Sequence, residues 1–244
     1  AEQRPALIWR RLIADTETPV GAAVKLIEPG RGDFLLESVE GGAVRGRYSL
    51  LGLDPDLVFR ATGSACAINR DWRADRDAFA DLPGDSLAEL RALVANCRID
   101  VPTELPKALA CLVGYFGYET FGLVEKLPRP APNPLDLPDM LFVRPTVLLV
   151  FDRLADRLFI ASPIWPGGNA ARDLEIAIDR IEQSFARLSQ PLPAQHRKAV
   201  ALPEGKAVSV LPEGWYGAMV RKAKPARASN AISKCATGKP HPGV

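Results

Sequence analysis

The chain has 244 residues, of which 47% are hydrophobic and 25% charged, a composition typical of a globular protein and unlike that of a fibre or a disordered chain. Its longest mostly apolar stretch, residues 108–118, is shorter than the roughly 20 residues that a membrane-spanning helix needs, so we expect no membrane segment. The net charge is +2, but six lysines and arginines and no acidic residue lie from Gly214 onward, so the body of the chain is mildly acidic and does not predict a nucleic-acid-binding surface.

The first part of the chain predicts one short helix and then strands in close succession. Pro19 fits the N1 position of a helix over residues 20–26, where its missing amide is not needed. Gly63-Ser64 is a two-residue connection typical of a tight hairpin. The runs predicted to be strands are residues 34–38, 47–52, 57–62 and 65–68.

A second helix is predicted from Ser86 to about Cys97. Ser86 and Glu89 have the spacing of a capping box, in which the hydroxyl accepts from a backbone amide and the carboxylate reaches back. The residues predicted to form its buried face recur at helical spacing and are Leu87, Leu90, Leu93 and Val94.

The second part of the chain predicts more strands and a long helix. The dense apolar run at residues 109–116 is typical of a central strand, which would end in a tight turn at Gly117. Five prolines within residues 128–138 predict an extended surface loop. A hairpin is predicted over residues 146–152 and 158–162. The apolar residues predicted to define the long helix after it are Leu174, Ile178, Ile181, Phe185 and Leu188.

This order of elements shows no βαβ alternation. It favours an α+β fold of mainly antiparallel sheet with interspersed helices. The four cysteines have no CxxC spacing, so we expect reduced thiols in a cytosolic protein and neither a zinc site nor a disulfide framework. These cysteines are Cys66, Cys97, Cys111 and Cys235.

Known catalytic motifs are absent from the sequence: there is no GxSxG, HExxH, Walker A or glycine-rich dinucleotide motif. The two histidines, His196 and His241, lie in the late part of the chain, which is rich in proline and lysine and is a poor place for a rigid general base. We therefore name no catalytic residue and no metal ligand.

Residues 34–55, FLLESVEGGAVRGRYSLLGLDP, have two interpretations. The first is a plain β-hairpin with Leu35 and Leu51 facing inward and a cross-strand ion pair between Glu37 and Arg47. The second is a small-molecule pocket. In that pocket, Glu37 and Ser38 at a strand end would receive the ammonium group of an amino acid, and Tyr48 and Arg47 would line the other side.

The sequence resembles a known enzyme family over about residues 7–224. TETPVGAAVKL and the FLLES…GLDP block are similar to the start of anthranilate synthase component I, of the chorismate-using enzymes. LVGYFGYETFGLVEKLP and LPDMLFVRPTVLLVFDRLADRLFI continue in the order of that family. The resemblance depends on several linked motifs and favours the anthranilate branch.

The resemblance implies a reaction in which chorismate and ammonia become anthranilate and pyruvate with Mg²⁺. A glutamine amidotransferase subunit, anthranilate synthase component II, would supply the ammonia, and L-tryptophan would inhibit. In the family the LLES element supplies part of the tryptophan pocket, which implies that Leu36, Glu37 and Ser38 bind tryptophan. Tyr48 on the adjoining strand is a further tryptophan-binding residue by the same resemblance.

The resemblance also implies a domain organisation in which the chain ends before the catalytic domain. Pro225 should break the helix that begins near residue 213, and the small, polar and basic residues after it should be disordered. We hypothesise that this tail is a frameshift product or a misassigned gene end, and that the fragment is inactive alone, with Mg²⁺ and chorismate bound only by the full-length enzyme. The predicted parts are an N-terminal α+β domain at 1–190, a linker at 191–212, the start of the chorismate-binding domain at 213–224 and the tail at 225–244.

Three alternatives stay open. The chain could be a stand-alone module that senses tryptophan or docks on the glutaminase subunit. It could be a fragment of the sister enzyme of folate synthesis, aminodeoxychorismate synthase component I, although the FLLES…GRYS block is more similar to the anthranilate branch. The basic tail could bind nucleic acid, but it lacks the aromatic platform that such binding commonly uses.

Overall fold

The structure is a computed structural model that describes residues 4–37, 46–106, 109, 112–125, 133, 135–193 and 212–228, with side chains described as far as residue 222. The chain divides into two compact units, Ala1–Ala194 and Gln195–Val244. The division falls inside the predicted linker. The predicted domain limits stay predictions, because residues 194–211 lie outside the described part of the chain.

Strands dominate the first unit. In chain order, the strands of the described residues are β1 (Ala6–Ile13), β2 (Phe34–Leu36), β3 (Tyr48–Leu53), β4 (Leu57–Thr62), β5 (Ala65–Asn69), β6 (Ala80–Leu82), β7 (Val113–Phe116), β8 (Met140–Arg144), β9 (Val147–Asp152) and β10 (Arg157–Ile164). The helices are α1 (Pro19–Leu26), α2 (Ser86–Asn96), α3 (Ala170–Leu188), α4 (Trp215–Ala228) and a 3-10 helix at Tyr118–Leu123.

The strands form two five-stranded sheets. The first sheet has the order β1-β10-β9-β3-β2 and the second the order β6-β5-β4-β8-β7. Every strand pair in both sheets is antiparallel. The predicted α+β fold of antiparallel sheet with interspersed helices is therefore confirmed, as are the hairpins β4–β5 and β9–β10.

The first sheet is covered on both faces. Leu51 of β3 and Leu149 of β9 face helices α1 and α3 and are fully buried. Their neighbours Leu50 and Val150 face the other way, into a second cluster that includes Leu105. Successive side chains of a strand point to opposite faces, so a strand buried on both faces consists of a continuous apolar run. This explains why β3 and β9 are apolar over most of their length.

Both long helices of the first unit are present as predicted, but the buried face of α2 differs from the predicted one. Val94 in α2 is 49% exposed, so its predicted burial is wrong; in α3, Leu174 and Ile178 are 39% and 44% exposed. The small residues Ala177 and Ser184 are buried on α3 instead. The buried faces follow a spacing of four, three and four residues and are Ser86, Leu90, Leu93 and Cys97 for α2, and Ala177, Ile181, Ser184 and Leu188 for α3.

Helix α1 begins as predicted, and α2 does not. Thr18 caps α1 by accepting a hydrogen bond from the Gly21 amide at 3.0 Å, and Pro19 lies at its first position. The cap of α2 is Asp85, whose carboxylate accepts from the amides of Leu87 and Ala88. The predicted capping box is therefore wrong, because Asp85 takes the accepting role.

The hydroxyl of Ser86 is engaged elsewhere. It donates to the Gly63 carbonyl at 2.8 Å and so ties the start of α2 to the β4–β5 turn. Glu89 accepts from the amide of Gly84, one residue before the cap, at 3.2 Å.

Strand β7 lies at the edge of the second sheet and pairs only with β8, so the predicted central strand at residues 109–116 is wrong in position and length. Tyr115 and Phe116 are 40% and 57% exposed, which an edge strand permits. The turn after it becomes the 3-10 helix. Most of the loop predicted at residues 128–138 (128–132 and 134) lies outside the described residues.

Helix α4 continues through Pro225 to Ala228, so the prediction that this proline ends the helix at once is wrong. A proline removes one backbone donor and crowds the carbonyl four residues earlier, but the residues after it can still donate their own hydrogen bonds. The predicted disordered tail covers residues 225–244; residues 225–228 belong to α4, so the prediction is wrong there, and residues 229–244 lie outside the described residues.

The two cysteines that the structure describes, Cys66 and Cys97, are free and buried, as predicted. Burial raises the pKa of both thiols. Cys111 and Cys235 lie outside the described residues. Among the described helices, none is long and apolar enough to cross a membrane.

Candidate functional site

The residues predicted to bind an amino acid lie where β2 ends and β3 begins, at the edge of the first sheet. Leu36 is the last residue of β2 and pairs with Leu50, and Glu37 follows it directly. Tyr48 is the first residue of β3 and pairs with Asp152 at the end of β9. The structure therefore brings Leu36, Glu37 and Tyr48 to one corner of the sheet. Ser38 lies outside the described residues.

Two ion pairs occupy this corner. The Arg47 guanidinium donates to Asp152 from Nε at 2.7 Å and from Nη2 at 2.6 Å. The Arg153 guanidinium donates to Oε1 of Glu37 at 2.9 Å. The backbone connects the two pairs, because the Arg153 amide donates to the Arg47 carbonyl at 3.0 Å.

The predicted cross-strand ion pair between Glu37 and Arg47 is therefore wrong. Because Leu36 pairs with Leu50, the next residue, Glu37, would lie opposite Ser49. Arg47 is two residues before Ser49 in the chain and therefore does not face Glu37. Arg47 instead lies opposite Arg153 across β3 and β9. Arg47 bonds Asp152 on β9, and Arg153 bonds Glu37 at the end of β2, on the other side of β3. The other part of the hairpin interpretation is confirmed, since Leu35 pairs with Leu51 and packs into the core.

Asp152 is the buried charge of the corner, with a side chain only 6% exposed. The hydrogen bonds from Arg47 hold the pKa of Asp152 below its ordinary value, although burial alone would raise it. Asp152 in turn raises the pKa of Arg47. The same guanidinium lies over the ring of Tyr48, 4.9 Å from its centroid. This pair is thus a fixed structural unit, in contrast to the more exposed pair of Glu37 and Arg153.

The described residues of the corner form an open surface. A cavity of about 100 Å³ lies beside it and is bordered by Asp152 and Arg153. Pockets that enclose a small molecule usually measure about 300–1,000 Å³, so this cavity alone could hold only part of an amino acid.

A larger cavity of about 390 Å³ lies at the opposite end of the first sheet, between the start of β1, the end of β10 and the start of α3. Its walls are mainly apolar, and the charged residues that line it are Arg4 and Asp173. None of the predicted site residues lines it. By its volume, this cavity is the better candidate for binding a whole amino acid. The β2–β3 corner is the candidate where the predicted binding residues come together.

The described residues do not fit the Mg²⁺ that the family resemblance implies. Within the described ranges, no group of three or more histidine, cysteine or carboxylate side chains could hold a metal ion. The neighbouring acids Asp54 and Asp56 are each bound to an arginine. We derive no metal-dependent step from these residues.

Sequence reasoning missed both Asp152 and Arg153. A signal for Asp152 exists, since it is a single acid at the end of an apolar strand, and buried charges are nearly always paired. Arg153 carries no comparable signal, because its partner Glu37 is 116 residues away in the chain.

Curated proteins of known name match this chain over most of its length. Anthranilate synthase component 1 of Cereibacter sphaeroides is 40% identical over 220 residues, which is 89% of this chain and 44% of that protein. This chain is a homologue of part of anthranilate synthase component 1. The protein of the same name from Thermus thermophilus is 36% identical over 188 residues, 75% of this chain and 36% of that protein.

The family resemblance seen in the sequence is thus confirmed. The chain spans less than half the length of these anthranilate synthase relatives. A solved structure of anthranilate synthase component I from Streptococcus pneumoniae matches 75% of this chain and 38% of that one, with 20% identity and a TM-score of 0.47. No family model matches the chain.

Proposed function

We propose that this chain acts within an anthranilate synthase component 1, where it binds tryptophan and regulates the conversion of chorismate and ammonia into anthranilate and pyruvate. The observation that carries the proposal is the 40% identity, over 89% of the chain, with a protein of that name. The names of the matched relatives favour the anthranilate branch over aminodeoxychorismate synthase. A glutamine amidotransferase partner, chorismate and Mg²⁺ belong to the proposed activity of the whole enzyme.

The ion pair at the corner of the first sheet has the charges that a free amino acid requires. An amino acid carries an ammonium group and a carboxylate on the same carbon. Glu37 can receive the ammonium and Arg153 the carboxylate, each through charge-assisted hydrogen bonds. A ligand that inserts between the two side chains would replace one ion pair with two.

The exposure of the pair makes that exchange inexpensive. The side chains of Arg153 and Glu37 are 42% and 35% exposed. Exposed ion pairs stabilise a protein by only about 0–1 kcal/mol, so little is lost when this one opens. The buried pair of Arg47 and Asp152 would stay closed and keep the two strand ends in place.

Apolar surface for an aromatic side chain lies next to these charges. Leu36 is 50% exposed. It shares a face of the sheet with Tyr48, because Leu36 pairs with Leu50, which lies two residues after Tyr48 on β3. An indole could cover Leu36 and the Tyr48 ring. Ser38, the remaining predicted residue, would act from the segment that follows Glu37.

Titration calorimetry of the 244-residue chain with L-tryptophan tests this proposal. We expect weak saturable binding, with a Kd of about 1 mM, because the described residues make an open surface. The substitution Glu37→Gln should weaken binding about tenfold or more, since it removes the charge that receives the ammonium. A matched control is Glu175→Gln, which changes an exposed glutamate of α3 and should leave the Kd unchanged.

Two results would overturn the regulatory assignment. One is the absence of saturable binding in the millimolar range. The other is a Glu37→Gln variant that binds tryptophan as the unsubstituted chain does.

A further inference from the structure

Arg180 on α3 lacks the acidic partner that the arginines nearest to it, Arg31, Arg73, Arg144 and Arg187, all have. The guanidinium of Arg180 makes no hydrogen bond and no ion pair within the part of the chain that the structure describes, although the residue is half-buried. Burial lowers the pKa of Arg180, and the nearby Arg73 lowers it further. A poorly hydrated cation without a partner is uncommon in proteins.

Two of the three carboxylates that act on Arg180 are already bound to other arginines. Asp54 binds Arg73 at 2.9 Å, and Asp56 binds Arg144 at 2.8 Å. Asp173, seven residues earlier on α3, acts on Arg180 through space but forms no ion pair with it.

The same holds for the acids near the start of β2. Asp33, whose side chain is fully buried, binds Arg31 at 2.6 Å. Glu28 is shared between Arg31 and Arg187, with both distances at 2.9 Å. Four of the acids around α3 are therefore paired with other arginines, and within the described residues Arg180 has no carboxylate in ion-pair contact.

Arg180 borders a small cavity between α3 and the turn after β3. The cavity measures about 80 Å³, and the other polar side chains that line it include Arg31, Gln183, Arg187 and Asp54. A water molecule takes about 30 Å³ in the liquid, so the cavity has room for a group the size of a few waters. It would admit an anionic head group but not a whole metabolite.

We propose that Arg180 and this cavity form an oxyanion site that binds the phosphate or carboxylate group of a small molecule, separate from the amino-acid site at the β2–β3 corner. A free guanidinium presents a planar fork of donors that matches such oxyanions bidentately. Arg31, Arg187 and Gln183 add further N–H donors from the walls, although both arginines also bind acids. Asp54 is the one acid among the described lining residues; it binds Arg73 and forms no ion pair with Arg180.

Two-dimensional ¹H–¹⁵N NMR of the arginine Nε–Hε groups in the full chain tests this site. Inorganic phosphate, with sodium chloride at matched ionic strength as the reference, should shift the Arg180 signal saturably. An acetate titration separates the two sources of the anion. A response to phosphate alone would indicate that the site binds a phosphoryl group, and a response to acetate alone would indicate a carboxylate. A response to both would indicate that the site accepts either group. Each of these results supports the site.

Two lysine variants provide the matched comparison. Arg180→Lys keeps the charge but loses the bidentate fork, so phosphate should bind about tenfold more weakly or worse. Arg172→Lys changes an exposed arginine on the same helix, also without an ion pair within the described residues, and should leave the affinity unchanged. Equal affinity in the two variants overturns the proposal. An Arg180 signal that responds to neither anion beyond the chloride reference also overturns it, and this readout needs no variant to fold.

Discussion

The guanidinium of Arg47 binds the carboxylate of Asp152 through two hydrogen bonds, from Nε to Oδ1 at 2.7 Å and from Nη2 to Oδ2 at 2.6 Å. The pair joins the start of β3 to the end of β9, directly beside the pair of Glu37 and Arg153. The Asp152 side chain is 6% exposed and that of Arg47 is 36% exposed. Arg47 is therefore the group that satisfies a buried charge, and the geometry of the corner depends on it.

Replacing Arg47 should destabilise the chain more than replacing Arg153. Arg47→Met leaves the buried Asp152 carboxylate without its partner, which is far more costly than losing an exposed pair. Arg153→Met leaves only the more exposed Glu37 unpaired and is the matched control. Urea denaturation measures the free energy of unfolding of both variants, and equal losses would contradict the structural role of Arg47.

The contribution of Asp152 to stability should disappear in acid. Its pKa is lowered in the folded chain from an ordinary value of 3.8, so the folded state takes up this proton less readily than the unfolded state. The stabilisation is therefore complete above about pH 4 and is lost as the pH falls through the lower folded pKa. Urea denaturation of the parent chain and of Asp152→Asn between pH 3 and 7 should show a difference that shrinks toward pH 3.

A control for that pH effect is the same comparison in the Arg47→Met background. Because Arg47 is the main cause of the lowered pKa, the effect of Asp152→Asn there should depend much less on pH. A pH dependence as large as in the parent chain would mean that Arg47 does not cause the lowered pKa of Asp152.

Gly52 should resist substitution because the ring of Phe34 lies on it. Phe34 on β2 is the strand partner of Gly52 on β3. A Cβ at position 52 would overlap the ring of Phe34. Gly52→Ala should lower the free energy of unfolding by about 1–3 kcal/mol, as overpacking commonly does, and should displace β2. Gly122→Ala is the control, because a Cβ there meets nothing within 4 Å. Equal stability of the two variants in urea would contradict this packing.

The start of α2 should depend on the carboxylate of Asp85. Asp85→Ala should cost about 1 kcal/mol, because the amides of Leu87 and Ala88 lose their acceptor. Asp85→Asn keeps an equally good cap and should lie within a few tenths of a kcal/mol of the parent chain. Thermal or urea unfolding measures the stability of both variants. If Asp85→Asn is as destabilised as Asp85→Ala, another residue caps the helix.

Local signals in the sequence predicted much of the fold. Gly63-Ser64 marked the β4–β5 hairpin and Pro19 marked the start of α1, because each depends on backbone geometry that few residues tolerate. The pairing of strands that are distant in the chain could not be predicted from the sequence. The edge position of β7 depends on which strand pairs with β8, and nothing within residues 109–116 encodes that partner.

The candidate site was only half predictable for the same reason. Family resemblance pointed to Leu36, Glu37 and Tyr48, but not to Arg153, whose contact with Glu37 spans 116 residues. The register of β2 on β3 decides that Glu37 and Arg47 do not meet. A shift of one residue in the register would move every side chain of β2 to the other face of the sheet. The alternation of apolar and polar residues alone could therefore not predict the partner of Glu37.

Mapping of backbone amide shifts by NMR during an L-tryptophan titration tests the central claim most directly. The proposal predicts saturable shifts centred on Leu36, Glu37, Tyr48 and Arg153, with the same titration in Glu37→Gln giving much smaller ones. Shifts centred instead on Trp165 and Asp173, which border the larger cavity at the opposite end of the sheet, would contradict it. So would a spectrum that tryptophan leaves unchanged.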